Sequence, residues 1–251
     1  MGNKFFTKHT VLSYNRLEST NTVAMARIKS GIAQHGDIIM ANYQQKGKGQ
    51  GQNEWFSTEG NNLLVSFICT NLHLNASKLA VFNMMAAKAT FNLVNHYFPN
   101  ITKLKWPNDI LVNDKKIAGI LCETILHGEV FKHAVIGIGI NVNEQVFPLN
   151  HAVSFTQITG LFYNLDSLLQ ELTEQLNLEL QKVQSSSFDI VKVDYESVLY
   201  GMNIKRYFRV DDGPFEGIIR GVNQHGQLCM EVDNDLKTFN QKEIKFDFAK
   251  H

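Results

Sequence analysis

Along the first two hundred residues the apolar positions fall into short alternating runs and helical stripes. Val11 to Leu17 alternates with period two, as a half-buried strand does. Ser19, Thr20 and Asn21 then offer cap residues ahead of a helical run through Ala24, Ala26 and Ile28 to Gly31. Ile38 to Tyr43 predicts a second strand, and Leu63 to Cys69 is apolar enough for a buried one. From Ala76 to Tyr97, residues Phe82, Ala86, Ala89, Leu93 and Tyr97 recur at helical spacing, and Pro99 ends that helix. Three strands are expected at Thr102 to Trp106, Ile117 to Leu126 and Val130 to Ile140. Leucines at helical spacing mark Leu165 to Val183, and a short helix ends near Tyr200.

Beyond Tyr200 the pattern changes to brief apolar runs broken by Asp211-Asp212-Gly213-Pro214, His225-Gly226 and Asp233-Asn234-Asp235, which are turn signals. The expectation is an α+β domain over residues 1–200, followed by a small closed or nearly closed β barrel over residues 201–251.

Composition narrows the function classes. Lys plus Arg equal Asp plus Glu at 24 each, so there is no global attraction to nucleic acid or anionic lipid. No segment reaches the roughly 18 apolar residues of a membrane span, and the lysines Lys4 and Lys8 precede no apolar stretch of secretory length. Cys69, Cys122 and Cys229 are odd in number and form no Cys-x-x-Cys pair, which fits a reducing cytoplasm. The Asn-x-Ser/Thr matches at Asn75 and Asn100 are accordingly read as chance.

Four segments carry candidate chemistry, each with a plainer explanation beside it. Gln44 to Asn53, closed by Trp55, holds Gly47, Gly49 and Gly51 at alternate positions with Lys46 and Lys48, and reads as a mobile loop over a ligand or as a flexible hairpin. It matches neither the P-loop nor the dinucleotide glycine pattern. Lys105-Trp106-Pro107-Asn108-Asp109 sets a rigid proline and two polar residues between apolar strands, where a turn alone would also want Asn and Asp. Asn113 to Leu121 reads first as a hairpin turn with lysines entering a strand, and Ile136 to Asn143 as a buried strand whose glycines permit close backbone approach.

In this order the segments resemble one family, the biotin protein ligases, also called biotin–acetyl-CoA-carboxylase ligases. The resemblance runs through Glu18-Ser19-Thr20-Asn21, the Gln44-to-Trp55 loop, Lys105-Trp106-Pro107-Asn108-Asp109, Lys116-Ile117-Ala118-Gly119-Ile120-Leu121 with Glu123, Gly137-Ile138-Gly139-Ile140-Asn141, and the small terminal barrel. It implies a biotin/lipoate ligase-like catalytic domain with a mixed sheet and flanking helices, plus an SH3-like barrel. The implied activity converts biotin and ATP, with Mg²⁺, to biotinyl-5′-AMP and pyrophosphate. The biotinyl group then passes to one lysine of a biotin carboxyl carrier domain.

By motif, the resemblance makes Lys116 the residue that neutralises charge where the biotin carboxylate meets the α-phosphate. Ser19, Thr20, Asn21 and Gln45 would hold the ureido ring, with Gly47, Lys48, Gly49, Gln50 and Gly119 also lining the biotin side. Lys48, Trp55, Asn108, Asp109, Lys116 and Asn141 would face the nucleotide. Asp109 would hold Mg²⁺ or accept a proton from the carrier lysine. Where the family commonly has Gly-Arg-Gly-Arg-x-Gly-Arg, this chain has Gly47-Lys48-Gly49-Gln50-Gly51-Gln52-Asn53. A looser clamp on the adenylate is expected, unless Lys46 compensates.

About ten residues precede Val11, too few for the helix-turn-helix domain of the two-function members, so the expectation includes no DNA target and no membrane. A homodimer through sheet edges stays open. Two rival readings are a lipoate ligase, which shares the fold and an adenylating lysine, and a non-catalytic biotin or nucleotide sensor.

Overall fold

Side chains alternate along a strand, so every strand divides its residues between two faces, and here the two faces meet different neighbours. The computed structural model describes residues 5–6, 10–51, 53–148, 150–210 and 213–247. The expectations that rest on Lys4, Lys8, Gln52, Asp211 and Asp212 lie outside the described residues. The chain runs β1 (Val11–Leu17), α1 (Thr20–Lys29), β2 (Ile38–Gln44), β3 (Asn62–Cys69) and β4 (Leu74–Asn75). A 3-10 turn (Ala76–Lys78) leads into α2 (Leu79–Tyr97), then β5 (Thr102–Lys105), β6 (Asp109–Val112), β7 (Lys115–His127) and β8 (Val130–Asn141). Four helices follow: α3 (Phe155–Thr159), α4 (Leu165–Leu180), α5 (Lys182–Ser185) and α6 (Phe188–Glu196). The last strands are β9 (Lys205–Val210), β10 (Gly213–Val222), β11 (Leu228–Val232), β12 (Asp235–Phe239) and β13 (Lys245–Phe246).

The first eight strands form one mixed sheet in the order β1-β2-β3-β8-β7-β6-β5, with β4 beside β8; β1 and β2 run parallel and the other neighbours antiparallel. The last five form a separate antiparallel sheet, β12-β11-β10-β9-β13, in keeping with the small SH3-like unit expected there. The strands and long helices expected from the pattern are all found. β4, β6 and α3 were not expected: each is five residues or fewer, and β6 follows the turn residues Pro107 and Asn108, which mask its alternation.

One face of the large sheet is buried. Ile38, Val65, Phe67, Ile136 and Ile138 pack there against Phe82, Met85 and Ala89 of α2 and against Leu172 and Leu176 of α4. The opposite face is covered at one end by α1, where Ala24 and Ile28 meet Ile39, Ile68 and Val135. Further along that face come Ser66 and Gly137, met by Thr20 and Asn21 of the first turn of α1, and then Gly119 and Gly139, which face Trp55. Among the described residues no helix is long and apolar enough to cross a membrane.

The two sheets share a core: Phe208, Ile219 and Met230 belong to the same buried cluster as α2. Polar contacts reinforce the junction. The Trp106 indole N–H donates to Gly226 O at 3.0 Å, and the Val222 N–H donates to Glu196 Oε1 at 2.7 Å. Gly221 is what admits that carboxylate: its φ is +131°, and a Cβ there would lie 2.0 Å from Glu196 Oε1.

Gly31 offers the control, with φ +74° and open space around it. Gly31→Ala should therefore cost about 1 kcal/mol of backbone strain. Gly221→Ala should cost about 2–4 kcal/mol, because strain, collision and the lost Glu196 contact combine. Urea unfolding of both variants checks the ordering, and equal losses would refute the role given to Glu196.

Candidate active site

Three glycines on the face that α1 partly covers make the floor of a cavity of about 560 Å³. Gly119 of β7 sits opposite Gly139 of β8, and Gly137 is one alternation further along. A Cβ on Gly137 would meet Asn21 Oδ1 at 2.1 Å; one on Gly139 would meet the Trp55 ring at 2.5 Å, and one on Gly119 the same ring at 2.9 Å. The floor is thus low because side chains from α1 and from the glycine loop occupy the space above it.

Lys116 reaches this face through a β-bulge. β6 and β7 pair Ile110 with Ala118 but Leu111 with Lys116, so Ile117 is an extra residue on β7. Ile117 and Ala118 are therefore both fully buried in the core, and Lys116 is turned to the side that Gly119 shares. The Lys116 backbone is held from behind: its N–H donates to His151 O at 2.8 Å, and its carbonyl accepts from Val153 N at 3.0 Å and from Asn141 Nδ2 at 3.3 Å.

The Lys116 ammonium lies 2.6 Å from Asp109 Oδ1, and Lys105 Nζ lies 3.2 Å from Asp109 Oδ2. Burial alone would favour the neutral acid, but attraction and hydrogen bonding from Lys116 and Lys105 outweigh it and hold the Asp109 carboxyl below the usual carboxylate range. Lys116 Nζ also stands 5.3 Å from the centroid of the Trp55 ring, whose buried indole Nε1 has no hydrogen-bond partner among the described residues.

At the start of α1, Ser19 is the N-cap by backbone conformation, yet its hydroxyl makes no capping bond and lines the cavity. The Thr20 N–H and hydroxyl donate to Gln44 Oε1 at 2.7 and 3.0 Å. The Ser66 hydroxyl is within donating reach of Asn21 Oδ1 at 2.6 Å and Thr20 Oγ1 at 2.8 Å, and Asn21 Nδ2 donates to Glu123 Oε2 at 2.8 Å. Gln44 is thus the cavity residue; Gln45, expected in that role, is exposed and off the cavity wall. The reason is alternation, since consecutive residues leaving β2 point to opposite sides.

The glycine loop, expected to be mobile, is folded as a short hairpin: Trp55 N–H donates to Gly47 O at 2.8 Å and Gly49 N–H to Asn53 O at 2.7 Å. Lys48, Gly49 and Gln50 line the cavity, whereas Gly47 lies behind it with Trp55 O only 2.6 Å from where its Cβ would be. Asn108 lines the cavity while its amide donates to Ile120 O. Asn141, expected at the nucleotide, is buried off the wall, its amide N–H groups directed at Lys116 O and Val153 O. The sequence reading missed the far wall: Lys242, Ile244, Lys245 and Phe246 come from the C-terminal segment. Five lysines and two carboxylates line the cavity, a net positive pocket in a chain of zero formal charge.

No all-protein cage for Mg²⁺ is formed among the described residues. Among the described residues no group of three or more His, Cys, Asp or Glu is gathered for a metal, and both Asp109 oxygens are engaged by lysines. The reading of Asp109 as a metal ligand has no support in this geometry.

A family model described as the biotin/lipoate A/B protein ligase family matches residues 13–141. The chain is 28% identical over 239 residues to the bifunctional ligase/repressor BirA of Bacillus subtilis, covering 93% of this chain and 73% of that protein. It is 25% identical over 221 residues to the biotin–[acetyl-CoA-carboxylase] ligase of Mycobacterium tuberculosis, covering 85% and 80%. Its fold is similar to that of the biotin protein ligase from Aquifex aeolicus in complex with biotin and ATP, with TM-score 0.76, 23% identity, and coverage of 94% and 99%.

The lowered Asp109 carboxyl fixes the sign of a pH effect. Its contribution to stability is complete above the unfolded-state value near 3.9 and is lost as pH falls through the lower folded value. Asp109→Asn should cost about 2 kcal/mol at neutral pH, because two ammonium groups lose their shared counter-charge. The gap between wild type and variant should stay level down to about pH 5 and close below about pH 4. Chemical denaturation across that range measures it, and a gap that widens toward acid would contradict the assignment.

Proposed function

The chain belongs to the biotin/lipoate A/B protein ligase family, and from that premise we propose how it acts as an ATP-dependent biotin ligase. A biotin carboxylate oxygen bonds to the α-phosphorus of ATP, the bond to the β-phosphate bridging oxygen breaks, and pyrophosphate leaves. The ε-amino group of a lysine on a biotin carboxyl carrier domain then bonds to the acyl carbon. AMP departs with the bonding pair of the acyl–phosphate bond, and the amine gives up a proton. Residues 1–200 supply the reacting groups in this reading, and residues 201–251 supply the far wall.

The observation that carries the reading is the lysine pair held on one carboxylate beside a glycine floor. Bringing a carboxylate onto a polyphosphate joins two anions, so fixed cations at the meeting point lower the barrier. Lys116 is the group we assign there, as a charge partner rather than a base. Asp109 positions its ammonium. A carboxylate held below its ordinary range is a weak proton acceptor, which argues against Asp109 as the base for the carrier lysine. Mg²⁺ enters this proposal as part of the MgATP substrate.

Ser19, Thr20, Asn21 and Gln44 form the polar end suited to a ureido ring, which offers one acceptor oxygen and two N–H donors. Gly119, Gly137 and Gly139 admit Trp55 and Asn21 close to the sheet, and so set how deep a ligand can sit beside them. Trp55 offers a ring for an adenine to stack on, and Lys48 and Asn108 lie on the phosphate side. Asn141 acts by positioning Lys116 through its carbonyl. The proposal includes no DNA target. A second copy pairing through a sheet edge would use β1 or β5, the two outer strands. Three free cysteines support a reducing compartment such as the cytoplasm.

Pyrophosphate release with MgATP is expected with biotin and not with lipoate, followed by AMP release when a carrier domain is added. Lys116→Ala should lower biotin-dependent pyrophosphate release by at least about a hundredfold with its circular dichroism unchanged. Release at near wild-type rate would remove Lys116 from the mechanism, and lipoate-dependent release would move the chain to the other branch of its family.

A further inference from the structure

The cations around the cavity are not equally available. Lys105 and Lys116 share Asp109, and Lys46, the expected stand-in for the missing loop arginines, pairs with Glu18 at 3.5 Å and lies off the cavity wall. Lys48, Lys242 and Lys245 line the cavity and, among the described residues, have no carboxylate within ion-pair distance.

Lys242 is set apart by how it is held. Its side chain lies directly on the glycine loop: a Cβ on Gly51 would be 2.7 Å from Lys242 Cε and 3.0 Å from its Nζ. Gly51 has φ +72°, a backbone conformation that favours glycine, and the Lys242 stem rests on it. The Lys242 backbone has φ +77°, a left-handed conformation that a long L side chain adopts at a cost. Its neighbour Gln241 accepts a hydrogen bond from Gln50 Nε2, tying the same turn to the same loop. A strained backbone, a glycine in contact with the side chain and a hydrogen-bonded neighbour together hold, at the rim of a cationic cavity, an ammonium that has no carboxylate partner among the described residues.

We propose that Lys242 is a ligand-binding residue of this site. Its ammonium pairs with the phosphate of the bound acyl adenylate, and through Gly51 and Gln50 it latches the glycine loop over that intermediate. This rests on the ligase reading, and it identifies a cation, from outside the loop, that takes the place of a loop arginine. The ligand chemistry is a phosphate monoanion joined to an acyl group, and the expected effect is on how long that species stays bound.

The test loads full-length protein with labelled biotin and MgATP in the presence of pyrophosphatase and without carrier. Unlabelled biotin is then added, and the release of labelled adenylate is followed. Lys242→Met keeps the aliphatic stem and removes the charge, and should release adenylate roughly tenfold faster than wild type. Lys242→Arg should restore slow release. Lys242→Gly should release as fast as Lys242→Met while melting no lower than wild type, because it relieves the strained backbone; a merely structural role would lower the melting temperature and leave release unchanged. Equal release by wild type and Lys242→Met overturns the Lys242 assignment alone, whereas a wild type that forms no adenylate overturns the ligase reading and this one with it.

Discussion

Everything at the cavity depends on the strict alternation of side chains in the central strands β3, β8 and β7. A strand that buries one face must do something with the other, and here that second face is kept nearly bare by Gly119, Gly137 and Gly139. The bulge at Ile117 breaks that alternation beside the cavity: it puts two consecutive apolar residues into the core and so aims Lys116 at the glycine face. Without the extra residue, the parity that buries Ala118 would bury Lys116 as well. An ammonium cannot be left there unpaired without a large desolvation penalty.

Electrostatics then finishes what geometry starts. Asp109 lies on β6 opposite Gly119, where no cross-strand side chain separates it from Lys116. Its two oxygens bind two lysines, so the group carries a net positive charge while no member of it is left unpaired. Such an arrangement tolerates partial burial better than an isolated ammonium and still presents cationic charge to an incoming anion. The polar end, from Gln44 through Thr20 and Ser66 to Asn21 and Glu123, is likewise ordered before any ligand arrives. Preorganisation of this kind spares the bound state the entropy of fixing those side chains.

Much of this was legible in the sequence because it is local. Strand and helix periods located the large elements, and the segments Lys105 to Asp109 and Lys116 to Leu121 pointed to residues that line the cavity. What the sequence hid is what depends on register or on distant contact. Gln45 and Gln44 are chemically identical, and only strand parity tells which of them faces the cavity. Asn141 read as a ligand contact, but its amide is spent on the Lys116 and Val153 carbonyls, a pairing that requires the loop at residues 150–153 to run beside β7. The wall at Lys242 to Phe246 had no local signature, since a lysine in a polar turn is ordinarily a solvated one. The positive φ of Lys242 would have been a clue, and backbone conformation is not written in residue type.

The wall formed by residues 242–246 also sets an order of events in the making of the protein. The eight-stranded sheet, with its bulge, its glycine floor and its Asp109 pair, consists of residues that leave the ribosome before that wall does. The cavity gains its far side only after Ile244 and Phe246 have been added and the Trp106 indole has found Gly226. A nascent chain therefore passes through a stage in which the floor of the cavity has been synthesised and its far wall has not. Enclosure of the cavity waits on residues near the far end of the described chain.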